Sequence, residues 1–312
     1  MVPPSEQPTI PSGQPKDLSG LAWGGRTGDP EFAPGDRLHD YRLISLLGEG
    51  GFGMVYLAEQ EQPVKRKVAI KLIKPGMDTR QVVARFEAER QSMALMDHPG
   101  VARIYDAAAT PAGRPYFVME FVRGEPLTTY CDTNRLNVAE RLRLFVEVCE
   151  AVQYAHHKGI IHRDIKPSNV LITTDGPRPL PKVIDWGVAK ATQPDEEQAR
   201  MLVTEVGQFV GTPEYMSPEQ AALGPLDVDT RADIYSLGVL LYQLLCGELP
   251  LESRDLRRGG YAEIQRAIQH AQALRPSVRL SHSKQRDIIA SLRRTTAGTL
   301  GRILRDDLDW IV

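Results

Sequence analysis

At 312 residues, 42% hydrophobic and 25% charged, the chain is long enough for one large domain or two lobes with separate cores. A formal net charge of -2 gives no global attraction to nucleic acid or to a membrane surface, and the arginine pairs Arg257-Arg258 and Arg293-Arg294 read as solvated helix faces. Three scattered cysteines, Cys131, Cys149 and Cys246, show no CxxC and no histidine at metal-ligand spacing, which fits a reducing compartment with each thiol buried as a small apolar residue.

Residues 1–35 hold seven prolines and six glycines and few aliphatic residues. Such a stretch cannot bury enough surface to offset its ordering entropy, so residues 1–36 are expected to be disordered, with order beginning near Tyr41. From Tyr41 the pattern reads strand (to Leu47), glycine-rich turn (Gly48 to Gly53) and strand (Met54 to Ala58), with a third strand over Lys67 to Ile73. Thr79 to Met96 reads as a helix, because Val82, Val83, Phe86, Met93 and Met96 recur at three- and four-residue spacing. Strands near Val101–Ala107 and Tyr116–Phe121 follow.

After Gly124 the character turns helical. Val138 to Lys158 is amphipathic and stops at Gly159, a residue suited to a left-handed cap. Thr230 to Cys246 is apolar on most faces and stops at Gly247, which places it at the centre of a lobe. Its apolar stretch from Ile234 is too short to span a membrane and is interrupted by Ser236, Gly238 and Gln243. Asp255 to Gln272 and Lys284 to Leu304 supply further helices. The N-terminus has no basic-then-apolar leader pattern, and the chain reads as cytoplasmic.

Several short motifs carry chemistry. Gly48-x-Gly50-x-x-Gly53 has the spacing of a dinucleotide fingerprint, but there the glycines open a helix, whereas here Val55-Tyr-Leu-Ala58 continues as a strand. That context suits a β-hairpin whose backbone N–H groups cover phosphates, or a plain structural hairpin. Val68-Ala69-Ile70-Lys71 ends an apolar strand on a lysine, either an edge charge or a buried cation that Glu87 or Glu89 could partner. Then come His162-Arg163-Asp164-Ile165-Lys166-Pro167-Ser168-Asn169, Asp185-Trp186-Gly187 sixteen residues on, Thr212-Pro213-Glu214-Tyr215-Met216-Ser217-Pro218-Glu219, and Asp233-Ile234-Tyr235-Ser236-Leu237-Gly238.

This ordered set resembles the protein kinase family over about Tyr41 to Val312, in the style of the bacterial eukaryotic-like serine/threonine kinases. The resemblance implies an α+β, two-lobed fold: a small antiparallel β-sheet lobe with a regulatory helix over 37–122 and a larger helical lobe over 123–312. It implies ATP and Mg²⁺ as cofactors and protein Ser/Thr hydroxyls as acceptors, with no nucleic-acid partner. Asp164 would be the catalytic base and Lys166 would steady the γ-phosphate, while Asn169 and Asp185 offer Mg²⁺ the hard oxygen ligands it demands. Lys71, held by Glu89, would grip the α- and β-phosphates under Gly48, Gly50 and Gly53. Val55, Ala69 and Leu171 would surround the adenine, with Met119 behind it and the backbone of Glu120 to Val122 bonding its edge. Lys166-Pro167 and Thr212 mark the serine/threonine class.

The same resemblance raises four further expectations. Trp186 replaces the usual phenylalanine and should stack between His162 and Met93, its indole N–H needing a partner. Arg163 should order a phosphorylated activation segment, with Thr204 the expected site, Thr192 a weaker one, and Thr212 contacting Asp164 and Lys166. Glu219 should be a buried carboxylate lacking its arginine, because the chain stops at Val312 where a further helix is expected. Two rival readings are a nucleotide-binding scaffold without phosphotransfer and a dinucleotide-dependent enzyme; Lys71, Asp164 and Asp185 are all present, which weighs against the first, and the strand after Gly53 weighs against the second.

Overall fold

The computed structural model describes residues 32–50, 53–73, 93, 96–111, 113–186, 212–222, 228–251, 261–270 and 272–312. One compact unit spans Ala33–Val312. Its first layer is an antiparallel sheet in the order β1-β2-β3-β4-β6-β5, formed by Arg37–Leu38, Tyr41–Gly50, Gly53–Gln60, Arg66–Ile73, Pro115–Glu120 (β6) and Ile104–Ala109 (β5). Strand β1 begins ahead of the expected Tyr41, and Gly35 N–H already donates to the carbonyl of Leu43 at 2.8 Å. Strand β5 starts three residues later than expected, because Val101 makes a parallel bridge to Val183 instead. At Gly53 a side chain has no room: its Cβ would lie 2.1 Å from the carbonyl oxygen of Leu72. Gly48 and Gly50 face open space.

Below the sheet the chain is helical. Strand β7 (Glu125–Pro126) forms a small antiparallel sheet with β8 (Val170–Thr173) and β9 (Leu180–Val183), and helices α1 (Leu127–Thr133) and α2 (Val138–His157) lie between β7 and β8 in the chain. A capping box starts α2: Asn137 Oδ1 accepts the N–H of Glu140 at 3.0 Å, and the Glu140 carboxylate accepts the N–H of Asn137 at 2.8 Å. Its buried face runs Val138, Arg141, Leu144, Phe145, Val148, Ala151, Val152 and Ala155, a spacing of three and four that only a helix brings into one stripe. Helix α3 (Pro218–Ala221) leads to α4 (Thr230–Cys246), which is buried nearly all round and ends at Gly247 with φ 75°. Each fully buried aliphatic residue in that core contributes about 1.5–3 kcal/mol.

The remaining helices of the described residues are α5 (Tyr261–His270), α6 (Pro276–His282), α7 (Arg286–Ser291), α8 (Ala297–Arg305) and α9 (Asp307–Ile311). The expected Lys284–Leu304 helix is broken, because Arg294 takes φ 52° and Thr296 caps a new start by accepting the N–H of Thr299. Asp309 ties the last turn down, accepting from the N–H of Ser277 at 2.9 Å and its hydroxyl at 2.5 Å. Trp310 is exposed, with the Arg275 guanidinium 4.4 Å from its ring centre.

Two charge expectations change. Arg293 is no surface residue: it is 2% exposed, and its guanidinium donates to the carbonyls of Leu245, Ile289 and Leu244 at 2.6–2.9 Å, where α4 ends. Glu219 is half-buried rather than buried, and it makes no ion pair among the described residues. The pair Arg257-Arg258 lies outside those residues, as do most of the expected 79–96 helix and residues 1–31. Among the described residues no helix is long and apolar enough to cross a membrane.

Candidate active site

The underside of the first sheet follows from its register. Val55 pairs with Lys71, Lys71 with Phe117, and Ala69 with Met119, so these side chains share one face. Lys71 is buried there, and its Nζ reaches Asp185 Oδ2 at 3.0 Å, joining β4 to the chain just after β9. Burial alone would raise the Asp185 carboxyl; the Lys71 charge and hydrogen bond, helped by His162 and Lys166, hold it below the usual range. The expected partner Glu89 lies outside the described residues, so Lys71–Asp185 is the contact seen.

Asp164 sits on a loop bonded from every side. Its Oδ2 accepts from Lys166 Nζ at 2.7 Å and from Asn169 Nδ2 at 3.0 Å, and Asn169 Nδ2 also donates to the Asp164 carbonyl at 2.8 Å. The Asn169 amide is thereby oriented, its N–H₂ toward Asp164 and its Oδ1 without a donor among the described residues. Among the described residues Asp185 Oδ1 likewise accepts from no donor. Two hard oxygens without donors, beside two lysines, suit a divalent cation with phosphates, and Asn169 and Asp185 are the residues that would hold it.

Two neighbouring elements aim this loop. Ile184 N–H donates to the carbonyl of Asn169 at 2.9 Å, and the His162 ring bonds the Ile184 carbonyl through Nε2 at 2.8 Å. Its Nδ1 accepts the Asp164 N–H at 3.2 Å, which assigns the Nε2–H tautomer. From the far side, the fully buried Asp233 of α4 accepts the N–H groups of His162 at 2.8 Å and Arg163 at 2.7 Å, and His156 Nε2 at 2.7 Å. Gln220 Nε2 donates to the carbonyl of Arg163 at 2.8 Å. Arg163 and Asp185 both take left-handed backbone, φ 68° and 67°, a conformation that costs a non-glycine residue about 1–3 kcal/mol and collects at working sites.

Trp186 is 1% exposed, its ring centre 4.8 Å from that of His162 and tilted by 60°; its indole N–H donates to the Val183 carbonyl at 2.9 Å, and Met93 belongs to the same core. Ala102, Ile104, Met119, Asp185 and Trp186 line a small cavity. Leu171 and Val122 are half-buried, and no hydrogen bond among the described residues engages the Val122 backbone. Thr212 differs from expectation: its hydroxyl bonds neither Asp164 nor Lys166, which are engaged with each other. Gly187, Thr192 and Thr204 lie outside the described residues. The anchoring role of Asp233 was missed by the sequence reading; an aspartate in the first turn of an all-round apolar helix must find donors when buried, and that was the signal.

Comparison with known proteins is consistent with this geometry. A family profile described as a protein kinase domain matches residues 41–298. The serine/threonine-protein kinase Pkn1 of Myxococcus xanthus is 41% identical over 243 residues, covering 74% of this chain and 34% of that protein. The serine/threonine-protein kinase PknA of Mycobacterium tuberculosis is 38% identical over 216 residues, covering 67% of this chain and 47% of that protein. The chain therefore spans less than half the length of these two curated relatives. The crystal structure of the Mycobacterium tuberculosis PknI kinase domain superposes with a TM-score of 0.58 at 22% identity, covering 88% of this chain and 99% of that one.

Proposed function

This chain belongs to the protein kinase family, and from that premise we propose that it transfers the γ-phosphate of ATP to serine and threonine hydroxyls of proteins. The observation that carries the reading is the Asp164 carboxylate, held by Lys166 and Asn169 on a loop anchored to Asp233, with Lys71 and Asp185 paired across from it. Asp164 accepts the proton of the acceptor hydroxyl as its oxygen bonds to the γ-phosphorus and the bond to the β-phosphate oxygen breaks, releasing ADP. Lys166 stabilises the charge that gathers on the transferred group, and Lys71 holds the α- and β-phosphates. Mg²⁺ bound with the nucleotide would supply neutralisation of the phosphate charge, with Asn169 and Asp185 as its protein ligands. The aliphatic face of Val55, Ala69 and Met119 receives the adenine, Leu171 meets it from the other side, and the Glu120 to Val122 backbone bonds its edge.

Regulation belongs to the same reading: Thr204 is autophosphorylated and paired with Arg163. The test is a radiolabelled-ATP assay on a mixed protein substrate. Wild-type protein labels serine and threonine, and Asp164→Asn loses at least about 10²-fold. Nucleotide binding without transfer by the wild type would replace this reading with that of a scaffold. Mass spectrometry after incubation with ATP reports whether Thr204 carries phosphate, and an active enzyme without it rules out that part.

A further inference from the structure

Between β6 and β7 the chain runs through Phe121, Val122, Arg123 and Gly124 without regular structure, and both ends of this connection are pinned. Downstream, the Gly124 backbone presses on β8 so closely that a Cβ there would lie 2.6 Å from the Ile172 carbonyl oxygen. Upstream, the Glu120 N–H donates to the carbonyl of Arg103 at 2.8 Å. The Glu120 carboxylate accepts the N–H of Arg103 at 3.2 Å and takes Lys182 Nζ on both oxygens, at 2.6 and 2.7 Å.

Lys182 comes from β9, where it pairs with Leu171 of β8 and stands three residues before Asp185. The short strand that ties down the start of the connection thus also delivers Asp185 to Lys71. Ion pairs on an open surface contribute little, but the Lys182 and Glu120 side chains are only 15% and 23% exposed, so solvent screens them less.

Resting on the phosphotransfer reading above, we infer that Lys182 is a positioning residue for the nucleotide: its pairing with Glu120 presets the backbone that reads the base at a fixed distance from the Lys71–Asp185 end that holds the phosphates. A connection held in its bound shape loses less freedom when the base docks, so the pair acts on nucleotide affinity and base choice rather than on the transfer step.

The experiment compares wild type, Lys182→Met, Lys182→Arg and Glu120→Gln by calorimetric titration with ADP and GDP and by steady-state kinetics with ATP and GTP. Lys182→Met is expected to weaken ADP binding and raise the KM for ATP by about tenfold, to narrow the adenine-over-guanine preference, and to leave kcat at saturating ATP within about twofold. Lys182→Arg restores most of the affinity, and Glu120→Gln weakens ADP binding in the same direction. A lowered melting temperature with wild-type ADP affinity and base preference in both Lys182→Met and Glu120→Gln reduces the pair to a structural contact and overturns the inference. So does a fall in kcat with KM unchanged. A wild-type protein that binds no adenine nucleotide overturns the phosphotransfer reading itself, and that result is visible before any variant is measured.

Discussion

The carboxylate of Asp233 accepts the backbone N–H of Arg163 at 2.7 Å, so the central helix holds the loop that carries Asp164 by its main chain. His162 N–H and His156 Nε2 converge on the same carboxylate, making three donors for two oxygens. In Asp233→Asn only one oxygen remains, and the new amide N–H₂ faces a donor. The expected loss is about 1–3 kcal/mol of stability in urea unfolding. Phosphotransfer should fall by about 10²-fold, because small misplacements of a catalytic group are costly. Unchanged transfer in a folded variant would mean that the loop does not depend on this anchor.

The same carboxylate makes stability depend on pH. Burial alone would raise it, but the hydrogen bonds from His156 and from the two backbone N–H groups hold it below its ordinary value of 3.8. A depressed carboxyl stabilises the fold above its unfolded-state value, and that contribution is lost as pH falls through the folded value. Melting temperature should therefore drop on acidification below about pH 4, and the drop attributable to this group should be absent in Asp233→Asn. Parallel acid limbs in the two proteins would assign the acid loss to other carboxylates.

How much of this could be read in advance varies from residue to residue. Asp164, Lys166, Asn169 and Asp185 lie in short motifs whose spacing reflects local backbone geometry, so the sequence displays them together. Asp233 and Lys182 act on partners 70 and 62 residues away, and through backbone groups or a charge no different in sequence from any surface charge. Strands β7 to β9 are two to four residues long, too short for an alternation to show. The break before α8 is made by Arg294 in left-handed backbone, with no glycine or proline to announce it.

Trp186 is buried at its ring and has one hydrogen bond to lose. The Val183 carbonyl that accepts its N–H also accepts the N–H of Ala102 at 2.9 Å, so Trp186→Phe leaves no buried acceptor empty. What remains is the volume difference, expected to cost about 1–2 kcal/mol in urea unfolding, with phosphotransfer retained. A loss well above that would show that the indole N–H, rather than ring volume, sets the stability of this corner.

Arg293 and Glu219 can be separated by experiment, because the structure gives them different surroundings. Helix α4 ends with carbonyls that have no partner inside the helix, and Gly247 N–H satisfies that of Gln243 at 2.8 Å. The Arg293 fork takes those of Leu245 through Nε at 2.6 Å and Leu244 through Nη2 at 2.8 Å, and Nη1 takes Ile289 at 2.9 Å. Burial, reinforced by the nearby charge of Arg141, pushes the guanidinium down to about 10, yet it stays charged at neutral pH. Arg293→Ala removes this donor from the Leu245 and Ile289 carbonyls and leaves that of Leu244 only the longer Arg141 Nη1 contact at 3.5 Å, and should cost about 3–5 kcal/mol. Arg293→Lys should recover less than half of that, since one ammonium cannot match a planar fork. Glu219→Gln removes a half-buried carboxylate without an ion pair among the described residues, and should change stability by no more than about 0.5 kcal/mol. Urea unfolding of the three variants decides the matter. Comparable losses from Arg293→Ala and Glu219→Gln, non-additive in the double variant, would show the two side chains to be partners and the helix-end role of Arg293 to be wrong.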